Sequence, residues 1–226
     1  LTLEKLHLGK NLKLSSSNDF SFVINKNFKI SELDIKSNIG LKNLDYNSNN
    51  ESIKNLLPSF NNNMRFQDHE IKLAFKDKEF KLEGEGKFLF GKVSDTIEYK
   101  ILKDKKENII FDTNIYLEKN PILLKIFDYK KKQKQKSTLK LKGILKKNGK
   151  VFFKSIHYQQ DKNILTLEKL HLGKNLKIDY LNNIKLDIFN TNNLKNSISL
   201  QRNKKNYEIK GEILDADQLI QSILDS

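Results

Sequence analysis

Apolar and polar residues alternate with period two along most of the chain, the mark of strands that present one apolar face. Ile71, Leu73 and Phe75 form one such set. Phe80 and Leu82 continue through Gly84 and Gly86 to Phe88 and Phe90 in a single phase, which predicts one long strand with small residues at its middle. Ile97, Tyr99 and Ile101 follow, then Phe111, Thr113, Ile115 and Leu117. The pattern returns at Leu139 to Leu145, at Ile184 to Ile188 and at Tyr207 to Ile213. Short polar turns separate these segments, such as Lys76-Asp77-Lys78, Lys103 to Glu107 and Lys147-Asn148-Gly149. Connections this short favour antiparallel neighbours in a meander. The expected fold is therefore all-β: a long, curved antiparallel sheet, either an open groove or a half-barrel.

Helix is scarce. Ile122 to Phe127, after Pro121, reads as a short helix or a buried strand. The best helix is the last, with Asp215 as N-cap, Asp217 in the first turn, and Leu219, Ile220, Ile223 and Leu224 on one face. That stripe is expected to cover the end of the sheet.

An internal repeat stands out. Residues 1–13, LTLEKLHLGKNLK, recur without change at 165–177. Phe20, Phe22 and Ile24 then match Ile184, Leu186 and Ile188 at the same offset, so the repeat segments are taken as 1–24 and 165–188. Duplication of a long unit and an artefact of sequence assembly both account for this. Leu1 and Leu3 are out of phase with Leu6 and Leu8, which predicts a bulge near Glu4-Lys5, with Gly9 permitting a turn afterwards. Both copies are expected to share one strand–turn–strand shape, with Gly9 and Gly173 at equivalent turns. The chain of 226 residues reads as a single fragment, 1–226, of a longer repetitive β protein.

Composition narrows the function classes. Apolar residues make up 37%, too rich for disorder but lean for a fully enclosed core. Cysteine is absent, which excludes disulfides and thiolate chemistry. The net charge of +14 raises a nucleic-acid reading, yet 40 of the 42 basic residues are Lys. A phosphate-reading surface favours the planar fork of Arg, whereas Lys with abundant Asn and Ile is what an AT-rich genome writes at neutral positions. Aromatic residues sit on the alternating apolar face and not among the lysines, which weakens a base-stacking platform. No nucleic-acid partner is expected. The run KKKQKQK at 130–136 is either a solvated loop or a contact for anionic groups.

Candidate chemistry is thin. Asp68-His69-Glu70 places two carboxylates on one strand face and the imidazole on the other, so the three cannot converge on a metal. Gly84-Glu85-Gly86 with Gly91 does not fit a dinucleotide-binding loop, and alternate glycines in a strand mark a bend or a close approach by another backbone. No nucleophile elbow, zinc-protease or phosphate-loop motif occurs. The expectation is a protein without enzymatic activity, cofactor or metal.

Taken in order, several features resemble the AsmA-like superfamily, in particular its YhdP/TamB type. They are the long amphipathic strands, KLEGEGKFLFGKVSDTIEYKI at 81–101, the L-x-L-x-x-L-x-L-G segments at 1–9 and 165–173, and the closing YEIKGEILDADQLIQSIL at 207–224. The resemblance implies a periplasmic location, an inner-membrane anchor supplied by another part of the parent chain, and transport of phospholipid towards the outer membrane. The residues lead in the same direction. With so few helices to cover it, the apolar face must close on itself or meet a ligand. Acyl chains of phospholipid are the expected partner, with headgroups wet at a lysine-bearing rim. The expected lining is Ile71, Leu73, Phe75, Phe80, Leu82, Phe88, Phe90, Ile97, Tyr99, Ile101, Phe111, Ile115 and Leu117. A structural or adhesive β scaffold and a basic polyanion-binding module are the alternatives; the latter requires lysines clustered on one face.

Overall fold

The computed structural model describes residues 10–47, 57–59, 62–76, 78–90, 93–174, 177–204, 206–217, 220 and 224. Its strands are β1 (Lys10–Ile24), β2 (Ile30–Asn47), β3 (Asn63–Lys76), β4 (Glu79–Phe90), β5 (Val93–Lys103), β6 (Ile109–Leu117), β7 (Ile122–Leu124) and β8 (Tyr129–Lys131). There follow β9 (Ser137–Leu145), β10 (Val151–Gln160), β11 (Asn163–Leu172), β12 (Ile178–Tyr180), β13 (Asn183–Phe189), β14 (Lys195–Asn203) and β15 (Asn206–Ile213). All but β7 and β8 belong to one sheet of thirteen strands, and every pairing in it is antiparallel.

The sheet is a meander in chain order, β1 to β6 and then β9 to β15, with β12 beside β13 along β11. It does not close: β1 and β15 are its edges. The short turns that separate the alternating segments produce this order, because each leaves a strand no reach beyond its neighbour. A longer connection joins β6 to β9. It makes a small hairpin, β7 and β8, joined by a 3₁₀ turn at Lys125–Phe127 that ends on Asp128 in the left-handed region. Ile122 to Phe127 is thus a strand followed by a turn.

The two repeat copies differ. In the second, Leu165 to Leu172 lie in β11, and Gly173 opens a turn closed by its N–H to the Lys177 carbonyl at 2.9 Å. In the first, residues 10–13 lie inside a strand that runs unbroken to Ile24. Residues 1–9, including Gly9, lie outside the described residues. The shared strand–turn–strand shape therefore fails here: Lys10 and Lys13 lie in a strand bulged at Asn11 (φ of 58°), whereas the matching Lys174 and Lys177 lie at a turn. Phe22 and Leu186 do face the same side of the sheet, through Leu33 and Leu165 respectively. The bulge deduced from the phase change is present in the second copy: Lys169 has φ of 52°, between Leu167 and Leu170.

At the carboxyl end the carboxylate of Asp215 accepts the Asp217 N–H at 3.2 Å, and Ile220 N–H donates to the Ala216 carbonyl at 2.8 Å. Ile220 and Leu224 are exposed, so this pair does not cover the sheet. Leu219 and Ile223 lie outside the described residues.

Candidate functional site

Cross-strand partners form rows of apolar side chains over a single face. One row runs Ile71, Gly84, Tyr99, Thr113, Leu141, Ile156, Leu167, Ile184, Leu200 and Ile209. A second, one pleat away, runs Gly86, Ile97, Ile115, Leu139, Tyr158, Leu165, Leu186 and Ile198. On the other side lies Leu73, Leu82, Ile101, Phe111, Gly143, Phe153 and Leu170. Side chains alternate strictly along a strand, so an extra residue is needed wherever the apolar phase shifts. Asp68, with φ of 50°, supplies it between Phe66 and His69, and Lys169 supplies it in β11.

All thirteen residues of the expected lining lie on this face, but they divide into two environments. Ile71, Leu73, Phe75, Phe80, Leu82, Tyr99, Ile101 and Phe111 are half-buried. Among the described residues no second layer lies over them. Phe88 and Leu117 are only 3% and 2% exposed, and Phe90, Ile97 and Ile115 pack against them. These five belong to a core closed by Ile122 and Tyr129 of the β7–β8 hairpin, together with Leu57, Tyr158, Leu186 and Ile188. Few segments are apolar enough in sequence to cover the face, and one of them does: the run at Ile122 to Phe127, read as a short helix or a buried strand, supplies the first strand of this hairpin, which covers one end of it.

Polar groups lock that cover. Asp95 is in phase with Ile97 and is 5% exposed. Its carboxylate accepts the backbone N–H groups of Glu118, Lys119 and Asn120 at 3.0, 2.8 and 2.9 Å, and the Asn120 side-chain amide at 2.9 Å. Lys131, from the lysine run, is fully buried. Its Nζ donates to the carbonyls of Asn120 and Glu118 at 2.7 and 3.2 Å. Burial pulls its pKa down, while the charges of Asp95 and Glu118 act in the opposite sense. One residue of KKKQKQK is thus a structural pin, and Lys132 to Lys136 are exposed. The Tyr129 and Tyr158 hydroxyls meet at 2.7 Å, and Tyr129 donates to Gln160 at 3.0 Å.

Beside the open rows sits a buried histidine. His69 Nε2–H donates to the Lys87 carbonyl at 2.9 Å, which leaves Nδ1 to accept from the Tyr99 hydroxyl at 3.0 Å. Burial lowers the His69 pKa and raises that of Tyr99 to about 12, so both are neutral near pH 7. The glycines beneath them are required. A Cβ on Gly86 would sit 2.3 Å from the His69 ring, and one on Gly84 would sit 2.7 Å from the Tyr99 ring. The close approach at these positions is made chiefly by aromatic rings lying over the strand and not, as expected, by another backbone.

The opposite face is polar and electrically mixed. Lys72, Glu83, Lys100, Asp112 and Lys142 are successive cross-strand partners of alternating sign. Lys142 pairs with Asp112 at 2.9 Å, and Lys81 with Glu83 at 2.8 Å. Lysines spread among acids in this way do not build the one-sided positive face that a polyanion module requires. Comparisons with protein-family models, with curated proteins and with solved structures returned no match, so the AsmA-like resemblance rests on the motifs quoted above.

Proposed function

We propose that the open part of the apolar face holds acyl chains of phospholipid, and that the chain is a segment of a hydrophobic β-groove carrying lipid across a cell envelope. The observation that supports this is the continuity of the three apolar rows, on a sheet that is not closed and that, among the described residues, has a cover at one end only. An acyl chain lying across the rows gains about 0.8 kcal/mol per buried CH₂, on the order of 10 kcal/mol for a chain of ordinary length before ordering costs. Branched and aromatic side chains repeat along the rows without a polar group at any fixed step, so a bound chain meets similar surroundings at each strand and can slide. The periplasmic location and the inner-membrane anchor follow from the AsmA-like resemblance and are part of the same proposal.

The test is extraction of the purified protein with organic solvent and identification of the lipid recovered. Phospholipid in stoichiometric amount is expected from the wild type. It should be lost on Ile101→Asp, which places a carboxylate in the open rows. Lipid-free protein that still folds as this sheet would contradict the proposal.

A further inference from the structure

The ladders place six turns at the same end of the strands. Phe75, Phe80, Lys103, Ile109, Leu145, Val151 and Leu172 are successive partners in the last row before that rim. Beyond it, each turn exposes at least one lysine: Lys29, Lys78, Lys106, Lys146, Lys174 and Lys204. Three acidic groups near the rim are already engaged, and Glu32 and Glu79 also lie at this end. Glu107 pairs with Lys147, Asp179 with Lys150 at 3.4 Å, and Asp104 accepts N–H groups within its own turn at 2.9 and 2.8 Å.

The β1–β2 hairpin projects past this rim. The last pair between β2 and β3 is Asp34 with Lys76, yet the hairpin continues through Phe22–Leu33, Val23–Glu32 and Ile24–Ile30. That overhang is about 10 Å, three residues at strand rise, before the turn is counted. Apolar side chains occur on both of its faces and at its apex, with Glu32 opposite Val23 and Lys26 and Lys29 in the turn. Phe22 and Ile24 face one way and Val23 the other, each 45 to 54% exposed; Ile30 is 59% exposed and Phe28, at the apex, 92%. The apex is well built: Asn25 N–H donates to the Lys29 carbonyl at 2.9 Å, and Asn25 Oδ1 accepts from Asn27 and Lys29. Phe28 occupies it at φ of 59°, a conformation that favours Gly or Asn, with its ring almost wholly in solvent. Folding alone gives no reason for a phenylalanine there.

We propose that this end of the sheet docks on an anionic lipid bilayer, with the β1–β2 tip inserted among the acyl chains and the lysine rim against the headgroups. A protein partner with one surface would cover one face of the hairpin. A bilayer surrounds an inserted tip on all sides, which is what apolar groups on both faces and at the apex require. A nucleic acid matches the rim but has no use for Phe28 and Ile30. The proposal does not rest on acyl chains lying in the groove.

The chain contains no Trp, so Phe28→Trp gives a single emitter at a site exposed enough to accept it. With vesicles of phosphatidylcholine containing about a third phosphatidylglycerol, its emission shifts to the blue and is quenched by lipids brominated on the acyl chain; added salt weakens binding. Phe22→Ser with Ile30→Ser in that background lowers the partition coefficient at least about tenfold. Ile101→Asp, which disables the groove, leaves vesicle binding unchanged. Emission indifferent to both vesicle and bromine overturns the proposal. So does a blue shift that follows protein concentration without vesicles, which would make a second copy the occupant. Displacement by DNA with no quenching by bromine would instead assign the rim to a polyanion.

Discussion

Asp95→Ala should remove the lock that holds the β7–β8 hairpin over the sheet. The carboxylate accepts four N–H groups at 3.0 Å or less. Glu118 and Lys119 are exposed, so water replaces the carboxylate at their amides at little cost. Asn120 is fully buried, and its backbone and side-chain donors are left without a partner, at about 1–3 kcal/mol each. Lys131 also loses the nearer compensation for its buried charge. Together these give about 3–5 kcal/mol, in the range for breaking a buried charged network and a large share of the ~5–15 kcal/mol that holds a domain folded. Urea denaturation followed by circular dichroism and tyrosine emission measures it. Asp112→Ala, whose ion pair with Lys142 is exposed on both sides, serves as control and should cost less than about 1 kcal/mol. If Asp95→Ala costs no more than Asp112→Ala, the hairpin is not held by this carboxylate and the reasoning fails.

Three further outcomes follow from the same geometry. Burial depresses the His69 pKa, so the unfolded chain binds its proton more readily; stability is complete above about pH 6.5 and is lost as pH falls below it. Urea midpoints across that window should show the loss, and His69→Leu should shrink it, with the remainder assigned by His171→Gln because the His171 pKa is depressed in the same sense. Gly86→Ala forces a Cβ to 2.3 Å from the His69 ring and should cost about 1–3 kcal/mol in the same assay. Lys131→Met should destabilise the hairpin selectively, read as faster hydrogen exchange at Glu118 to Asn120 and unchanged exchange in β10, because it removes the Nζ donor to the Asn120 carbonyl, while the Glu118 carbonyl keeps only the Lys134 N–H.

Much of the sheet was legible because period two is a local property. From Ile71 to Leu117 every inward residue was readable from alternation, and short turns left the meander as the only economical order. The bulge at Lys169 was readable from a phase change, and the same signal was available at Asp68, where Met64 and Phe66 are out of phase with Ile71. Alternation does not say what lies above a face. The apolar run at Ile122 to Phe127 marks one strand of the covering hairpin, but three residues in each strand are too few to tell a helix from a buried strand or to show what it packs on. Two charges did mark it. Asp95 shares the inward phase of Ile97, and Lys131 shares that of Tyr129; an inward charge in a strand calls for a partner overhead. The repeat shows the limit of local sequence. Lys10 and Lys13 pair with the long β2 in one copy, while the matching Lys177 closes a turn in the other, so the neighbouring strand decides the conformation.

Photo-crosslinking from single positions in an intact envelope tests the central claim most directly. Probes at Ile101 and Phe111 point into the open rows, Lys100 and Asp112 are their outward neighbours, and Leu186 lies in the covered core with no exposed surface. The account predicts phospholipid adducts at Ile101 and Phe111 and none at Lys100, Asp112 or Leu186. Folded protein with no lipid adduct at either inward position, or with equal adducts on both faces, would contradict it.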